Sequence, residues 1–351
     1  MENPTRLQRV PPAPGSALKR RMISFPTWYL ASILSLSLAP VGLPLLVLWD
    51  LIRRQNLVST RTALYFACFF WIETIGVSVA GVLWVWNLFV RDARRYEMAN
   101  RRLQWWWSRN LFWTAVKLFS VEVDIDGLEL LEDRRPSLVL SRHASTLDTM
   151  LPLATVRHMK LFRYVIKAEL LMDPAMDVVA QRFPNAFVQR GGGDPEAEIE
   201  RVLTIARGME ENAAIVMYPE GTRFTPAKRA RLLEKFEETD PEMYELSKRL
   251  EHTLPPLREG AVRLVQTTTD CDVVIVAHRG IGRAGAMSDL IKGKLLGNRL
   301  EVKIWRIPAD EVPRDRDGVR AFLVEQWQKV EDYVARKPEG EAEPLEYAAV
   351  S

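Results

Sequence analysis

Two short segments contain the residues of this chain best suited to chemistry, and the first holds a histidine and an aspartate. His143 and Asp148 lie five residues apart within residues 141–148. That spacing lets both side chains sit on one short turn, where the carboxylate fixes the imidazole tautomer and strengthens it as a proton acceptor. The pair therefore predicts a general base that removes a proton from a hydroxyl group.

The second segment, residues 218–224, has the composition of an anion site. Glu220, Gly221, Thr222 and Arg223 follow one another there. Such a turn brings main-chain N–H groups and a guanidinium together, which suits a phosphate, and Gly221 lets the backbone approach closely. Together the two segments predict an enzyme that deprotonates a hydroxyl on a phosphorylated substrate and transfers a group to it.

In this order the two segments resemble the hallmark of the 1-acylglycerol-3-phosphate acyltransferases, also called lysophospholipid acyltransferases. That hallmark is His-x4-Asp followed by a Pro-Glu-Gly-Thr-Arg block, and the resemblance extends over residues 121–307. Phe-Val-Gln-Arg at 187–190 is similar to the family's second block, which implies that Arg190 binds the acceptor phosphate. Lys-Ala-Glu-Leu at 167–170 is similar to another family segment and makes Lys167 a candidate for binding an anionic substrate, although a lone lysine after a strand is often simply solvated.

The resemblance implies transfer of a fatty acyl group from acyl-CoA or acyl-carrier protein to the free hydroxyl of a lysophospholipid such as lysophosphatidic acid. His143 would take the hydroxyl proton with Asp148 holding its other nitrogen, so that no acyl-enzyme forms. Ser141 and Ser145 leave a covalent route open, but neither has a nucleophile-elbow context. No cofactor and no metal are predicted, because no cluster of His, Cys, Asp and Glu has zinc spacing.

Departures from the family pattern leave the acceptor open. Arg142 precedes the histidine where the family usually has Asn, and residues 273–277 lack the proline of the family's late block. The alternatives are glycerol-3-phosphate or a non-glycerol lysolipid as acceptor, or a non-catalytic membrane protein that binds lipid. Residues 224–228 and 254–257 resemble a subgroup with a charged insertion, here 229–253, that favours lysophospholipids.

Two apolar runs in the N-terminal third predict membrane helices within residues 23–91. Residues 28–49 carry no charge, and residues 63–90 are interrupted only by Glu73; each is long enough to cross a bilayer. Glu73 indicates either a functional group or a side chain that faces the first helix. The sequence thus predicts an integral membrane protein.

Basic residues flank both apolar runs and favour a hairpin with both ends cytoplasmic, which places the catalytic domain on the cytoplasmic face. Pro40 and Pro44 leave open a re-entrant first segment. Residues 1–22 predict a basic disordered tail and residues 337–351 another disordered tail. Residues 92–120, with three successive tryptophans, predict an interfacial amphipathic helix, the alternative being a helix packed on the catalytic domain.

The acyltransferase domain is predicted at 121–336 from alternating strand and helix patterns, which indicate an α/β fold. The family resemblance implies a mixed β-sheet flanked by helices. Strands are expected at 121–127, 137–141, 162–166, 186–188, 213–218, 273–277 and 300–307, and helices at 196–209 and 319–334.

Charge and cysteine content exclude some other classes of protein. The net charge is only +3, so no nucleic-acid partner is implied, and the basic residues beside the apolar runs suit membrane lipid instead. The two cysteines are far apart and suit a reducing compartment without structural disulfides. The expected partners are lysophospholipid, acyl thioester and membrane lipid, and the oligomeric state is unknown.

Overall fold

A computed structural model describes residues 15–156, 160–189, 194–256, 259–282, 284–285 and 287–336. Seven strands form one mixed sheet in the order β1-β7-β6-β2-β5-β3-β4. The strands are β1 (Glu122–Asp126), β2 (Ser137–Ser141), β3 (Leu161–Lys167), β4 (Ala186–Val188), β5 (Ala213–Met217), β6 (Asp272–Arg279) and β7 (Arg299–Ile307). β6 and β7 pair antiparallel and all other neighbours pair parallel. The predicted mixed α/β fold is confirmed, with every strand within two residues of its expected bounds.

Helices cover both faces of the sheet. They are α1 (Ala17–Arg53), α2 (Val58–Val90), α3 (Ala93–Leu118), α4 (Leu128–Glu132), α5 (Leu151–Thr155), α6 (Pro174–Val178), α7 (Pro195–Thr204), α8 (Pro226–Thr239), α9 (Pro241–Arg249), α10 (Glu259–Thr267), α11 (Met287–Ile291) and α12 (Arg316–Ala335). α7, α10 and α12 pack on one face, while α3, α5 and α11 pack on the other. Central strands buried on both sides are apolar throughout for this reason.

The topology brings the two predicted motifs to one edge of the sheet. β2 pairs parallel with both β5 and β6, so the carboxyl ends of these three strands are neighbours. His143 follows β2, the 218–224 segment follows β5, and β6 ends at Arg279. Sites in α/β proteins form at such an edge because the loops leaving adjacent strands meet there.

The first helix begins earlier than predicted and is continuous. α1 begins at Ala17, so residues 17–22 are helical and not part of a disordered tail, and Arg20 and Arg21 both donate to the buried carboxylate of Asp177. The helix continues through Pro40 and Pro44, so the broken re-entrant segment is not observed. The rest of the predicted tail, residues 1–14, and the tail 337–351 lie outside the described residues.

α3 packs against protein along most of its length, which is the alternative left open for residues 92–120. Trp105 Nε1 donates to Val156 O at 3.1 Å, and Trp107 Nε1 donates to Glu73 Oε1 at 2.5 Å. Trp106 contacts two further apolar clusters. Three successive tryptophans can all be packed because α3 lies between α2 and the catalytic domain. A position of part of α3 at the membrane interface stays a prediction.

Glu73 faces α3 and the start of α6, so of the two alternatives left open for it, a side chain that faces the first helix is wrong. Its Oε1 accepts from Trp107 and its Oε2 accepts from Ala175 N at 3.3 Å. Asp173 lies beside it, and burial raises the pKa of Asp173. A proton shared between these two carboxyl groups removes the cost of two neighbouring buried charges.

The charged insertion is a pair of helices, α8 and α9, on the surface. No residue of α8 is buried. Arg229 donates to Leu250 O at 2.6 Å and thereby ties the start of the insertion to its end. The insertion therefore begins directly at the 218–224 segment and keeps Lys228 close to it.

Candidate active site

His143 and Asp148 are brought together as their spacing predicts. His143 Nδ1 and Asp148 Oδ1 are 2.9 Å apart, and the side chain of Asp148 is fully buried while that of His143 is 16% exposed. Asp148 Oδ2 accepts from Ala144 N at 2.7 Å and from Ser145 N at 2.6 Å. With Nδ1–H donating to the carboxylate, Nε2 of His143 is the nitrogen that can accept a substrate proton.

Asp148 stays ionised despite its burial. Burial alone would raise its pKa, but the charge and hydrogen bond of His143, together with the contact of His278, outweigh burial and hold the pKa of Asp148 below the usual carboxyl range. An ionised Asp148 stabilises the imidazolium that forms when His143 takes a proton. The pair therefore has the electrostatics of a general base and its anchor.

A cavity of about 270 Å³ lies beside His143 and combines cationic with apolar walls. The polar part includes Thr222, Arg223, Lys228 and Lys167. The apolar part is formed by Met150, Leu153, Ile166, Leu170, Met176, Val179 and Ala180, and Gln104, Trp107 and Ser108 of α3 complete the wall. A cavity with both kinds of wall suits an amphiphile.

The cations of this cavity are held mainly by neutral oxygen atoms. Arg223 donates to Thr146 Oγ1 at 2.7 Å and to Gly285 O. Lys228 Nζ donates to Thr222 Oγ1 at 2.7 Å and to Arg223 O at 3.0 Å. Lys167 lies 3.7 Å from Glu169 and is 45% exposed. The structure thus brings three of the sequence's cationic groups to one cavity.

Glu220 occupies a different position from the one expected. Its carboxyl group is buried, with Oε1 accepting from His143 N at 3.1 Å and Oε2 accepting from Leu254 N at 3.0 Å. The side chain therefore fixes the backbone under the histidine and does not line a phosphate site. Sequence reasoning failed here because it could not tell an inward carboxyl group from one facing a ligand.

Gly221 forms a tight turn, as the close backbone approach predicted for it requires. Its φ is +71°, a conformation that costs glycine little. Its N–H donates to Tyr218 O at 2.8 Å, so this donor is already used within the turn. Phe224 N donates to His143 O at 2.7 Å and joins the two motifs directly.

Arg190, the second predicted phosphate ligand, lies outside the described residues, so its role stays a prediction. Three other residues around His143 were not singled out as site residues. The ring of Tyr218 packs against that of His143, tilted by 38° with centroids 4.6 Å apart, Lys228 lines the cavity, and His278 Nε2 lies 3.2 Å from Asp148 Oδ2. Of these three, only Tyr218 and Lys228 could have been identified from the sequence, because they flank the Glu-Gly-Thr-Arg run at 220–223.

The variant Glu220→Gln tests whether burial raises the pKa of the Glu220 carboxyl group. Burial raises the pKa of Glu220 to about 8, although Arg142 and two main-chain donors oppose the shift. Between the ordinary carboxyl pKa and about 8, the folded protein holds a proton that the unfolded chain has released. The free energy of unfolding therefore falls as pH rises through that window, by up to about 1.4 kcal/mol per pH unit.

The glutamine variant cannot ionise, so we expect a smaller decrease in its free energy of unfolding over that pH window. Denaturant unfolding at a series of pH values measures this, with Glu245→Gln on the exposed face of α9 as the control. Equal slopes in wild type and Glu220→Gln would contradict the raised pKa.

Comparison with known proteins agrees with this geometry. Residues 122–279 match the family model described as Acyltransferase. The chain is 21% identical over 230 residues to lysocardiolipin acyltransferase 1 of Gallus gallus and 21% identical over 231 residues to that of Mus musculus. Each match covers 64% of this chain, and 59% and 60% of the relatives respectively.

The crystal structure of the 1-acyl-sn-glycerophosphate acyltransferase of Thermotoga maritima has the same fold. It superposes with a TM-score of 0.53 at 17% identity, covering 80% of this chain and 99% of that one. The residues that the family model matches, 122–279, include β1 to β6, His143, Asp148 and the 218–224 segment. Residues 122–279 thus match the acyltransferase family model, as the resemblance of the two motifs predicts.

Proposed function

We propose that this protein is a membrane-associated O-acyltransferase that moves a fatty acyl group from acyl-CoA or acyl-carrier protein to the free hydroxyl of a lysophospholipid. One observation carries the proposal: His143, held by Asp148, lines a cavity whose walls include three cationic side chains and many apolar ones. That combination fits an acceptor that is charged at one end and apolar at the other.

The proposed reaction is a direct transfer. His143 Nε2 accepts the proton of the acceptor hydroxyl while the oxygen attacks the thioester carbonyl carbon, with Asp148 stabilising the imidazolium. The C–O bond forms, the C–S bond breaks, and the thiolate leaves with the proton returned by His143. Neither the enzyme nor a metal needs to carry the acyl group.

The positions of the two nearby serines argue against a covalent route. Ser145 Oγ is buried, donates to Ala284 O at 2.7 Å and accepts from Leu147 N. Ser141 Oγ is buried as well and donates to Arg142 O. A nucleophilic hydroxyl needs a base within hydrogen-bond reach, and both hydroxyls are hydrogen-bonded to the main chain instead.

A phosphate-bearing acceptor fits the cavity better than a phosphate-free one. Arg223, Lys228 and Lys167 line the same cavity as His143, and a phosphate monoester carries close to two negative charges at neutral pH. The relatives named above act, by their names, on lysocardiolipin and on 1-acyl-sn-glycerophosphate, which are both phosphate-bearing lysolipids. Lysophosphatidic acid and larger lysophospholipids are therefore the first acceptors to test, before glycerol-3-phosphate and non-glycerol lysolipids.

We also propose that α1 and α2 lie along one leaflet instead of crossing the bilayer as a hairpin. Both helices are long and apolar enough to span, but α2 contacts the catalytic part of the chain from Val58, beside Gly293, to Ala80, whose carbonyl oxygen accepts from Arg182. These 22 steps of about 1.5 Å extend for about 33 Å, which exceeds the hydrocarbon thickness of about 30 Å. An upright α2 would draw the packed domain into the lipid with it.

Exposed apolar side chains of the catalytic part support the same orientation. Outside α1 and α2, the large apolar residues exposed within the described residues are Leu170, Met172 and Ile291. Leu170 and Met172 share a groove with Ile23 and Trp28 of α1, and Ile291 belongs to α11, whose Leu290 O accepts from Thr62 of α2. These side chains extend the apolar surface of the helix pair. Which face of the membrane carries the domain stays a prediction, with the cytoplasmic face expected.

His143→Ala tests the proposed chemistry. Loss of the base should lower thiol release from a long-chain acyl-CoA by about 10³-fold, the usual contribution of general-base catalysis. The assay compares lysophosphatidic acid, lysocardiolipin, other lysophospholipids and glycerol-3-phosphate as acceptors, with the purified full-length protein.

His252→Ala is the matched control, because His252 also contacts a carboxylate, Glu331, but lies half exposed away from the cavity. We expect it to retain activity. Equal rates in wild type and His143→Ala, or no turnover with any acceptor and either thioester carrier, would contradict the proposal and favour a lipid-binding protein.

Lys228→Met tests recognition of the acceptor charge. Loss of one cation from the cavity should raise KM for a phosphate-bearing acceptor about tenfold, as expected for one charge-assisted hydrogen bond, with little change in kcat. Lys235→Met, on the exposed part of the same helix, should leave KM unchanged. An unchanged KM in Lys228→Met would remove this lysine from acceptor binding.

The membrane orientation is tested by labelling the loop between α1 and α2. Single cysteines replace Asn56 in that loop and Glu245 on α9, in a chain whose Cys68 and Cys271 are alanine. In sealed vesicles, a membrane-impermeant maleimide should label both positions from the same side. Labelling of Asn56→Cys from the side opposite to Glu245→Cys would establish the spanning hairpin instead.

A further inference from the structure

A second histidine contacts the carboxylate that holds His143. His278 lies near the end of β6 and is fully buried. Its Nε2 is 3.2 Å from Asp148 Oδ2 and 3.1 Å from Arg142 O, and its own carbonyl oxygen accepts from Arg142 at 2.9 Å. Both the ring and the main chain of His278 thus contact the segment that carries the catalytic pair.

The partners of His278 define where its proton lies. Asp148 Oδ2 and Arg142 O are both acceptors, so Nε2 must carry the hydrogen. Nδ1 is buried and has no hydrogen-bond partner within the described residues. A second proton there would be a buried donor without an acceptor, which costs about 1–3 kcal/mol, and it would add charge beside the buried guanidinium of Arg142. The neutral imidazole with Nε2–H fits this site.

Asp148 consequently divides its two oxygen atoms among four donors. Oδ1 faces His143, while Oδ2 accepts from Ala144 N and Ser145 N and lies 3.2 Å from His278 Nε2, which also donates to Arg142 O at 3.1 Å. Each added donor stabilises the carboxylate and makes it a weaker acceptor for the others. The bond from His278 therefore limits how strongly Asp148 holds the imidazolium form of His143.

Other titratable groups pack around this cluster but contact its main chain. Arg142 donates to the carbonyl oxygens of His278 and His252, and Glu220 accepts from His143 N. The Tyr218 hydroxyl donates to the carbonyl oxygen of Asp148 at 3.4 Å. Within the described residues, His143 and His278 are the two side chains with ring nitrogens on the Asp148 carboxylate.

We propose that His278 is a positioning residue that fixes the Asp148 carboxylate through its second oxygen and thereby sets the pH range in which His143 acts as a base. The inference rests on the proposed function of His143, and it adds a third side chain to the pair. The chemistry requires no exchange of protons by His278, only a fixed N–H donor.

His278→Leu and His278→Gln separate positioning from packing. Leucine fills much of the site without a donor, whereas the glutamine amide can place an N–H near the position of Nε2. Removal of the donor leaves Asp148 more basic, so its hold on the imidazolium strengthens. We expect the acidic limb of kcat/KM in His278→Leu to move by about 0.5 pH unit to higher pH, with kcat lowered about tenfold. KM for the acceptor should be unchanged, and His278→Gln should resemble wild type.

A second readout does not depend on turnover. Diethylpyrocarbonate modifies neutral imidazole, so the pH dependence of His143 modification, followed by mass spectrometry of its peptide, should show the same displacement in His278→Leu. If that variant does not fold, His278→Asn replaces it, because its shorter amide cannot reach Asp148 as Nε2 does.

The outcomes distinguish a failure of the proposed function from a failure of the role proposed for His278. No wild-type turnover with any acceptor refutes the proposed function, while the modification profile still tests His278. An unmoved profile in the donor-free variant, or equal impairment of the glutamine and leucine variants without displacement, would show that His278 serves packing alone.

Discussion

The buried carboxylate of Asp148 is the constraint on which the rest of the site depends. An ionised carboxyl group removed from water must be surrounded by hydrogen-bond donors. Around Asp148 these donor groups come from the ends of two strands. They belong to His143, Ala144 and Ser145 after β2, and to His278 at the end of β6. The order of the parallel strands makes this possible, because β6 and β5 flank β2. The catalytic geometry is therefore a consequence of the sheet topology.

A second buried carboxyl group supports the same segment from beneath. Glu220 binds the main chain at His143 and at Leu254, which joins the two motifs to the loop after the helical insertion. Phe224 N completes the link by donating to His143 O. The block at 218–224 thus has two roles in one stretch, since Glu220 points inward to hold the backbone at His143 and Arg223 lines the cavity.

The candidate membrane helices and the candidate active site share structural parts. α3 packs against α2 on one side, and its residues Gln104, Trp107 and Ser108 line the cavity beside His143. Trp107 also donates to Glu73 within α2. A helix pair lying along a leaflet would therefore place the apolar end of the cavity close to the acyl chains of the bilayer, so that a lysolipid need not pass through water to reach the base.

Local patterns in the sequence were sufficient for the strands and for the His143–Asp148 pair, because strand burial and a five-residue turn are both short-range features. They were insufficient for His278, which is 130 residues from Asp148 in sequence and reaches it only through the pairing of β2 with β6. The inward position of Glu220 and the packing of α3 could not be predicted for a related reason. Residue type and spacing do not specify which neighbour a buried polar group or a tryptophan will find.

The most direct test of the central claim is a double-mutant cycle between His143→Ala and Asp148→Asn, measured as the rate of acyl transfer. If Asp148 acts only through His143, the double variant should be no slower than His143→Ala alone, because groups that act as a unit lose their contribution once. Losses that multiply in the double variant would show that Asp148 acts independently and would contradict the account.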